Sequence, residues 1–139
     1  MSEAQMKELV SVALTARERA YAPYSHFNVG AALMTDDGKI YTGCNVENAS
    51  YGATNCAERT AVFKAVSEGK LHFRAIAIAG GMEGAGPKDY VYPCGICRQV
   101  LGEFGEPDLE IYLVKSPEDY KVCLLKELLP NGFGGASIQ

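Results

Sequence analysis

The sequence has no long hydrophobic run, no excess of basic residues and no signal-peptide core. No apolar stretch approaches the roughly 20 residues that a membrane span needs, so we expect no membrane partner. The chain has 13 lysines and arginines against 17 aspartates and glutamates, and its basic residues form no cluster. This argues against a nucleic-acid polymer as partner. A small nucleic-acid building block remains open as a ligand. Residues 1–8 are polar, so we expect a cytoplasmic protein.

Paired disulfides are not expected either. The five cysteines are odd in number and follow no secretion signal, a pattern that favours metal binding or catalysis. A chain of 139 residues buries about two-thirds of its unfolded surface and needs no disulfide framework. The sequence shows no internal repeat and no linker, and we therefore predict a single domain over residues 1–139.

The spacing of apolar residues and of turn residues predicts alternating helices and strands. Helices are predicted over residues 3–20, 55–68 and 94–104. Strands are predicted over residues 27–35, 39–43, 73–79 and 109–114, with a loop over 80–92. Residues 120–129 fit either a strand followed by a helix or one helix. This alternation predicts a three-layer α/β/α sandwich around a mixed sheet of about five strands.

Three cysteines lie at the starts of two predicted helices. Cys94 and Cys97 are three residues apart in a first helical turn, so their sulfurs share a face, and Cys56 begins another helix. The positive end of a helix dipole favours thiolates, which are good zinc ligands. Three protein ligands with a fourth position open are typical of catalytic zinc, whose bound water is hydroxide near neutral pH. The pattern predicts one Zn²⁺ per chain.

Neighbouring polar residues extend this prediction. Glu58, two residues after Cys56, could move the proton of the attacking water. Three thiolates outweigh the charge of Zn²⁺, and hydrogen bonds from Arg59 would withdraw charge from the sulfurs. Gln99 is a weaker candidate for the same role.

Two other interpretations of the cysteines stay open at this point. The Cys-x-x-Cys pair by itself could be a redox pair. A structural zinc in a non-enzymatic module would need a fourth ligand, although no candidate stands at a second Cys-x-x-Cys spacing. The candidates for that fourth ligand are Cys44, Cys123, His26 and His72.

Six ordered motifs extend well beyond the cysteines. They are Ala22-Pro23-Tyr24-Ser25, Phe27-x-Val29-Gly30-Ala31-Ala32-Leu33, Gly43-Cys44-Asn45-Val46-Glu47-Asn48, Cys56-Ala57-Glu58-Arg59-Thr60-Ala61, Pro93-Cys94-Gly95-x-Cys97-Arg98-Gln99 and Glu127-Leu128-Leu129-Pro130. From about residue 9 to residue 133, the chain resembles the small homotetrameric cytidine deaminases, which use three cysteines and zinc.

The resemblance implies hydrolytic deamination of cytidine and 2′-deoxycytidine to uridine and 2′-deoxyuridine plus ammonia, in pyrimidine salvage. It implies that Cys56, Cys94 and Cys97 bind zinc. It also implies that zinc-bound hydroxide attacks C4 of the base while Glu58 shuttles protons to N3 and to the leaving amine. A deaminase of another aminopyrimidine nucleoside such as blasticidin S, or of a base within nucleic acid, is the alternative.

The resemblance also implies a substrate site. Asn45 and Glu47 would hydrogen-bond the ribose 3′-hydroxyl, Phe27 would pack against the nucleoside, and the Ala57 N–H would meet the base carbonyl. Phe133 of a neighbouring subunit would stack on the base, which implies a homotetramer with shared active sites.

Overall fold

A five-stranded mixed sheet forms the centre of the protein in a computed structural model that describes residues 1–138. Its strands are β1 (Phe27–Thr35), β2 (Ile40–Cys44), β3 (Phe73–Met82), β4 (Glu110–Val114) and β5 (Tyr120–Leu124). They lie in the order β2-β1-β3-β4-β5, with β3 and β4 parallel and the other neighbours antiparallel. The predicted mixed sheet of about five strands is confirmed.

Helix α1 (Glu3–Ala16) covers one face of the sheet. It begins with a capping box, in which Ser2 Oγ accepts from the Gln5 N–H and Gln5 Oε1 accepts from the Ser2 N–H. Its apolar face, which includes Leu9, packs on the sheet against residues such as Ala32. A turn of 3₁₀ helix (Arg17–Arg19) follows, so the α-helix ends before the predicted residue 20.

Helices α2 (Ala57–Ser67) and α3 (Gly95–Phe104) lie on the opposite face. Ala61 and Val62 of α2 are fully buried in the same cluster as Leu33 and Ile76 of the sheet. With helices on both faces, the three-layer arrangement is confirmed. No helix within residues 1–138 is both long and apolar enough to cross a bilayer.

The end of β3 differs from the sequence prediction. Strand β3 continues to Met82, so the predicted loop cannot begin at residue 80. Gly80 pairs with Val29 of β1, and a methyl group on Gly80 would lie 2.9 Å from Val91 Cγ2 and 3.0 Å from Phe27 Cε1. The strand has a glycine at this position because the side chains of Val91 and Phe27 fill the space that a larger residue would need. Residues 120–129 form a strand followed by the short helix α4 (Leu125–Leu128).

Helix α2 sits unusually close to the edge strand β2. A methyl group on Gly43 would lie 2.2 Å from the Ala57 carbonyl oxygen and 2.6 Å from the Ala61 nitrogen. Only glycine allows the backbone of the first turn of α2 to approach the strand in this way. This contact sets the position of Cys56 and Glu58, which flank Ala57.

Candidate active site

The three cysteines predicted to bind metal lie together. Their Sγ atoms are all within 4.8 Å of one another, with 3.8 Å between Cys56 and Cys94 and 3.4 Å between Cys94 and Cys97. Cys56 is the N-cap of α2 and Cys94 the N-cap of α3, so two helix starts converge on one point. Cys97 lies in the first turn of α3 and is fully buried.

This cluster fits zinc. Thiolates at about 2.3 Å from a tetrahedral zinc lie roughly 3.8 Å from one another, close to the observed separations. Within the described residues, no fourth histidine, cysteine or carboxylate atom joins the group. Of the proposed fourth ligands, Cys44 Sγ donates to the Arg19 carbonyl and Cys123 Sγ to the Ile111 carbonyl. The cluster therefore supplies three protein ligands, the number found in catalytic zinc sites.

Positive charge stands beside the thiols. Arg59 Nη2 donates to Cys56 Sγ at 3.3 Å. Hydrogen bonds from the Cys97 thiol and from Arg59 lower the pKa of Cys56 to about 5, against the opposing effect of burial. The hydrogen bond with Cys56 and burial raise the pKa of Cys97 above its ordinary value. Arg59 thus withdraws charge from a sulfur that is predicted to bind zinc.

Glu58 is a buried carboxyl group in the first turn of α2. Only 4% of its surface is exposed, and burial raises its pKa to about 7, with the nearby Cys56 charge acting in the same direction. A carboxyl group that titrates near neutral pH can both accept and return a proton. Its neighbour Ala57 is fully buried as the first residue of the helix.

The predicted substrate residues Asn45, Glu47 and Phe27 are connected by hydrogen bonds. Asn45 Nδ2 donates to the Phe27 carbonyl at 2.8 Å, and Asn45 Oδ1 accepts from the Val29 N–H at 2.8 Å. Among residues 1–138, no other contact uses the second N–H or the second lone pair of the Asn45 amide, which leaves both available to a ligand. Glu47 accepts from the backbone N–H groups of Tyr24 and Ser25, at 3.0 and 3.1 Å.

The loop that carries these polar residues is joined to the cysteine cluster. The Val46 N–H donates to the Asn55 carbonyl and the Asn55 N–H to the Val46 carbonyl, each at 2.9 Å. Asn55 directly precedes Cys56 in the chain. The position of Asn45 and Glu47 relative to Glu58 is therefore held by backbone hydrogen bonds.

Two concave surfaces are lined by predicted substrate residues, one by Phe27 and the other by Glu47. Phe27 lines a cavity of about 100 Å³ together with Gly80, Gly81 and Val91. Glu47 lines a wider cleft of about 410 Å³. Both surfaces are therefore bordered by residues that the sequence analysis assigned to the nucleoside.

The side chain of Gln99 contacts the backbone of Phe133. Gln99 Nε2 donates to the Phe133 carbonyl at 2.8 Å, which anchors the C-terminal segment on α3 rather than directing this amide at a thiol. The Phe133 side chain is 62% exposed. Within residues 1–138 of a single chain, Phe133 thus presents its ring to the surface.

The sequence analysis gave no role to Ser25, whose hydroxyl donates to Glu47 and accepts from the Phe27 N–H at 3.1 Å. The second of these contacts follows a local pattern, in which a serine side chain binds the backbone two residues later. The contact with Glu47 spans 22 residues and leaves no trace in local sequence.

Comparisons with known proteins agree with this geometry. The zinc-binding region of cytidine and deoxycytidylate deaminases matches residues 3–113. A cytidine deaminase of Sporosarcina psychrophila is 48% identical over 92% of this chain and 90% of its own length. A cytidine deaminase of Halalkalibacterium halodurans is 50% identical over 90% of this chain and 91% of its own length.

Solved structures show the same fold. The crystal structure of a cytidine deaminase from Burkholderia pseudomallei is 49% identical, with a TM-score of 0.83, over 96% of this chain and 100% of that chain. The residues matched by the family description include all three cysteines, and the structural match covers nearly the whole chain. The chain therefore belongs to the family of zinc-binding cytidine and deoxycytidylate deaminases and is a hydrolytic deaminase.

Proposed function

We propose that this protein hydrolyses cytidine and 2′-deoxycytidine to uridine and 2′-deoxyuridine plus ammonia, in pyrimidine salvage in the cytoplasm. The observation that carries the proposal is the buried Glu58, with a pKa of about 7, in the helical turn that follows Cys56 of the three-cysteine cluster. This combination supports the proposal that Glu58 carries protons beside a zinc site.

The chemistry is divided between the metal and the chain. Cys56, Cys94 and Cys97 would hold zinc, which would lower the pKa of a bound water molecule so that it is available as the nucleophile hydroxide near neutral pH. Glu58 accepts a proton from the attacking water and delivers it to N3 of the pyrimidine. Glu58 then assists protonation of the C4 amino group, which leaves as ammonia while C4 becomes a carbonyl. Water and cytidine are consumed, and uridine and ammonia are formed.

The remaining site residues bind and orient the nucleoside. The N–H of Ala57, at the start of α2, donates to the base carbonyl. Asn45 and Glu47 hydrogen-bond the ribose 3′-hydroxyl with the acceptor and donor capacity that the protein leaves free, and Phe27 packs against the nucleoside. Loss of one such buried hydrogen bond costs about 1–3 kcal/mol, because its partner is left unpaired.

The assembly that we propose is a homotetramer of single-domain chains, each covering residues 1–139. Phe133 of one subunit stacks on the base bound by its neighbour, which is supported by the exposure of its ring. Stacking of a base on an aromatic ring contributes about 1–3 kcal/mol. Arg59 acts on the thiolates, and Gln99 sets the backbone position of Phe133 through its hydrogen bond.

The first experiment follows the cytidine absorbance band during incubation with the purified protein, with and without a zinc chelator. We expect conversion to uridine that disappears when the metal is removed. Glu58→Gln should retain one zinc per chain and lose about 10²–10⁴-fold in kcat. Glu68→Gln, at the exposed end of the same helix, is the matched control and should keep full turnover. Undiminished kcat in Glu58→Gln contradicts the proton-transfer role.

A further inference from the structure

The Ser25 hydroxyl connects two parts of the proposed nucleoside site. It donates a hydrogen bond to Glu47 Oε2 and accepts one from the Phe27 N–H at 3.1 Å. A single side chain thereby contacts both the proposed ribose-binding carboxylate and the backbone of the residue proposed to pack against the nucleoside.

The backbone conformation next to Ser25 makes this double contact possible. His26 has a φ of 58°, in the left-handed region that non-glycine residues seldom adopt. Its N–H donates to the Ala22 carbonyl at 2.9 Å, and its carbonyl accepts from the Glu83 N–H at 2.7 Å. These bonds hold the turn so that Ser25 lies between Glu47 and Phe27.

The hydrogen bonds of Glu47 leave little freedom to its carboxylate. Oε1 accepts from the N–H groups of Tyr24 and Ser25, at 3.0 and 3.1 Å, and Oε2 accepts from Ser25 Oγ. A carboxylate offers about four acceptor positions, so these three donors leave about one, on Oε2. The Ser25 bond to Oε2 determines which way that remaining lone pair points.

These bonds also favour the ionised form of Glu47. Its pKa lies below the usual value, with the Ser25 side chain as the largest cause and the Ser25 N–H next. An ionised carboxylate accepts a hydrogen bond from a hydroxyl group more strongly than a neutral carboxyl group does.

From this geometry we infer that Ser25 is a positioning residue that sets the specificity for the ribose 3′-hydroxyl, by orienting the free lone pair of Glu47. The inference rests on the ribose-binding role proposed for Glu47. Without the hydroxyl, the Glu47 carboxylate keeps two donors on Oε1 and can rotate its other oxygen away from the ribose.

The test compares kcat/KM for cytidine with kcat/KM for 3′-deoxycytidine, which lacks the hydroxyl in question. In the wild-type enzyme the ratio measures the contact with that hydroxyl. We expect Ser25→Ala to lower the ratio about tenfold, the effect of losing one hydrogen bond to a charged group. Only kcat/KM for cytidine should fall, because 3′-deoxycytidine makes no such contact.

Other variants complete the experiment. Ser25→Thr retains a hydroxyl and should restore the ratio, and Ser25→Cys, with its weaker donor, reports the same loss should the alanine variant not fold. Ser11→Ala, an exposed serine on α1, is the control and should leave the ratio unchanged. Glu47→Gln should lower the ratio at least as much as Ser25→Ala.

The outcomes separate this inference from the proposed function. If Glu47→Gln lowers the ratio and the Ser25 variants do not, the inference about Ser25 is wrong while the role of Glu47 stands. If Ser25→Ala slows both substrates equally, Ser25 has a structural role only and the inference is again wrong. If Glu47→Gln leaves the ratio unchanged, the ribose role of Glu47 fails, and the inference fails with it.

Discussion

Replacing Gly43 by alanine should disturb the active site, because Gly43 of β2 packs against the first turn of helix α2. The added methyl group would lie 2.2 Å from the Ala57 carbonyl oxygen, whereas ordinary contacts begin at 3.4 Å. Both atoms in conflict belong to rigid elements, so the first turn of α2 must retreat by about 1 Å. Overpacking of this kind costs about 1–3 kcal/mol of the free energy of unfolding, which corresponds to a fall in Tm of roughly 3–12 °C.

The displaced turn carries Cys56 and Glu58, so the substitution should also affect catalysis. A misplacement of 1 Å can lower turnover by about 10²-fold. Thermal unfolding, zinc content per chain and kcat for cytidine measure the three effects separately. Gly86→Ala is the matched control, because nothing lies within 4 Å of a methyl group there, and its Tm and zinc content should be those of the wild-type protein. A Gly43→Ala protein with unchanged Tm and turnover would refute the reasoning.

Three further predictions concern the charge at the thiolates, the turn after β1 and the subunit interface. Arg59→Gln removes the guanidinium from Cys56 and should weaken zinc binding by about 10–100-fold, measured by competition with a chelator; equal affinity contradicts the charge-withdrawing role. Hydrogen bonds from Lys70 and Thr35 hold the pKa of Asp37 below its ordinary 3.8, so the stabilisation that they confer is complete above that pH and is lost as pH falls below it. Denaturant titrations of wild-type and Asp37→Asn proteins should differ in free energy of unfolding at pH 7 and converge at lower pH, and a constant difference contradicts this assignment. Phe133→Ala should raise KM for cytidine, and dilution of the wild-type protein to monomers should abolish activity, whereas a fully active monomer rules out a contribution from the neighbouring subunit.

The sheet, the main helices and the metal cluster could all be predicted from the sequence because their signals are local. The spacing of Cys94 and Cys97 within one helical turn brings their sulfurs together wherever the helix lies. Glu58 stands two residues from Cys56, so chain connectivity predicts that it lies near the cysteine cluster. The buried strands were recognisable from short apolar runs that end at turn residues.

The missed features depend on distance along the chain. Strand β3 was predicted to end at residue 79 because Gly80 and Gly81 read as loop residues, whereas the pairing with Asn28 and Val29 continues the strand. Gln99 Nε2 donates to the Phe133 carbonyl, 34 residues away, a contact that the proximity of Gln99 to Cys97 does not predict. Neither contact has a local signature.

Residue types and their local spacing identify the chemical groups of the candidate site: three cysteines, a carboxyl group beside them and two helix starts to hold them. How these groups meet depends on the tertiary structure. It brings Cys56 to within 3.8 Å of Cys94, 38 residues away, and joins Ser25 to Glu47 across 22 residues. Residue types and helical periodicity are local properties, whereas these distances follow from strand register and from the close packing of α2 against Gly43.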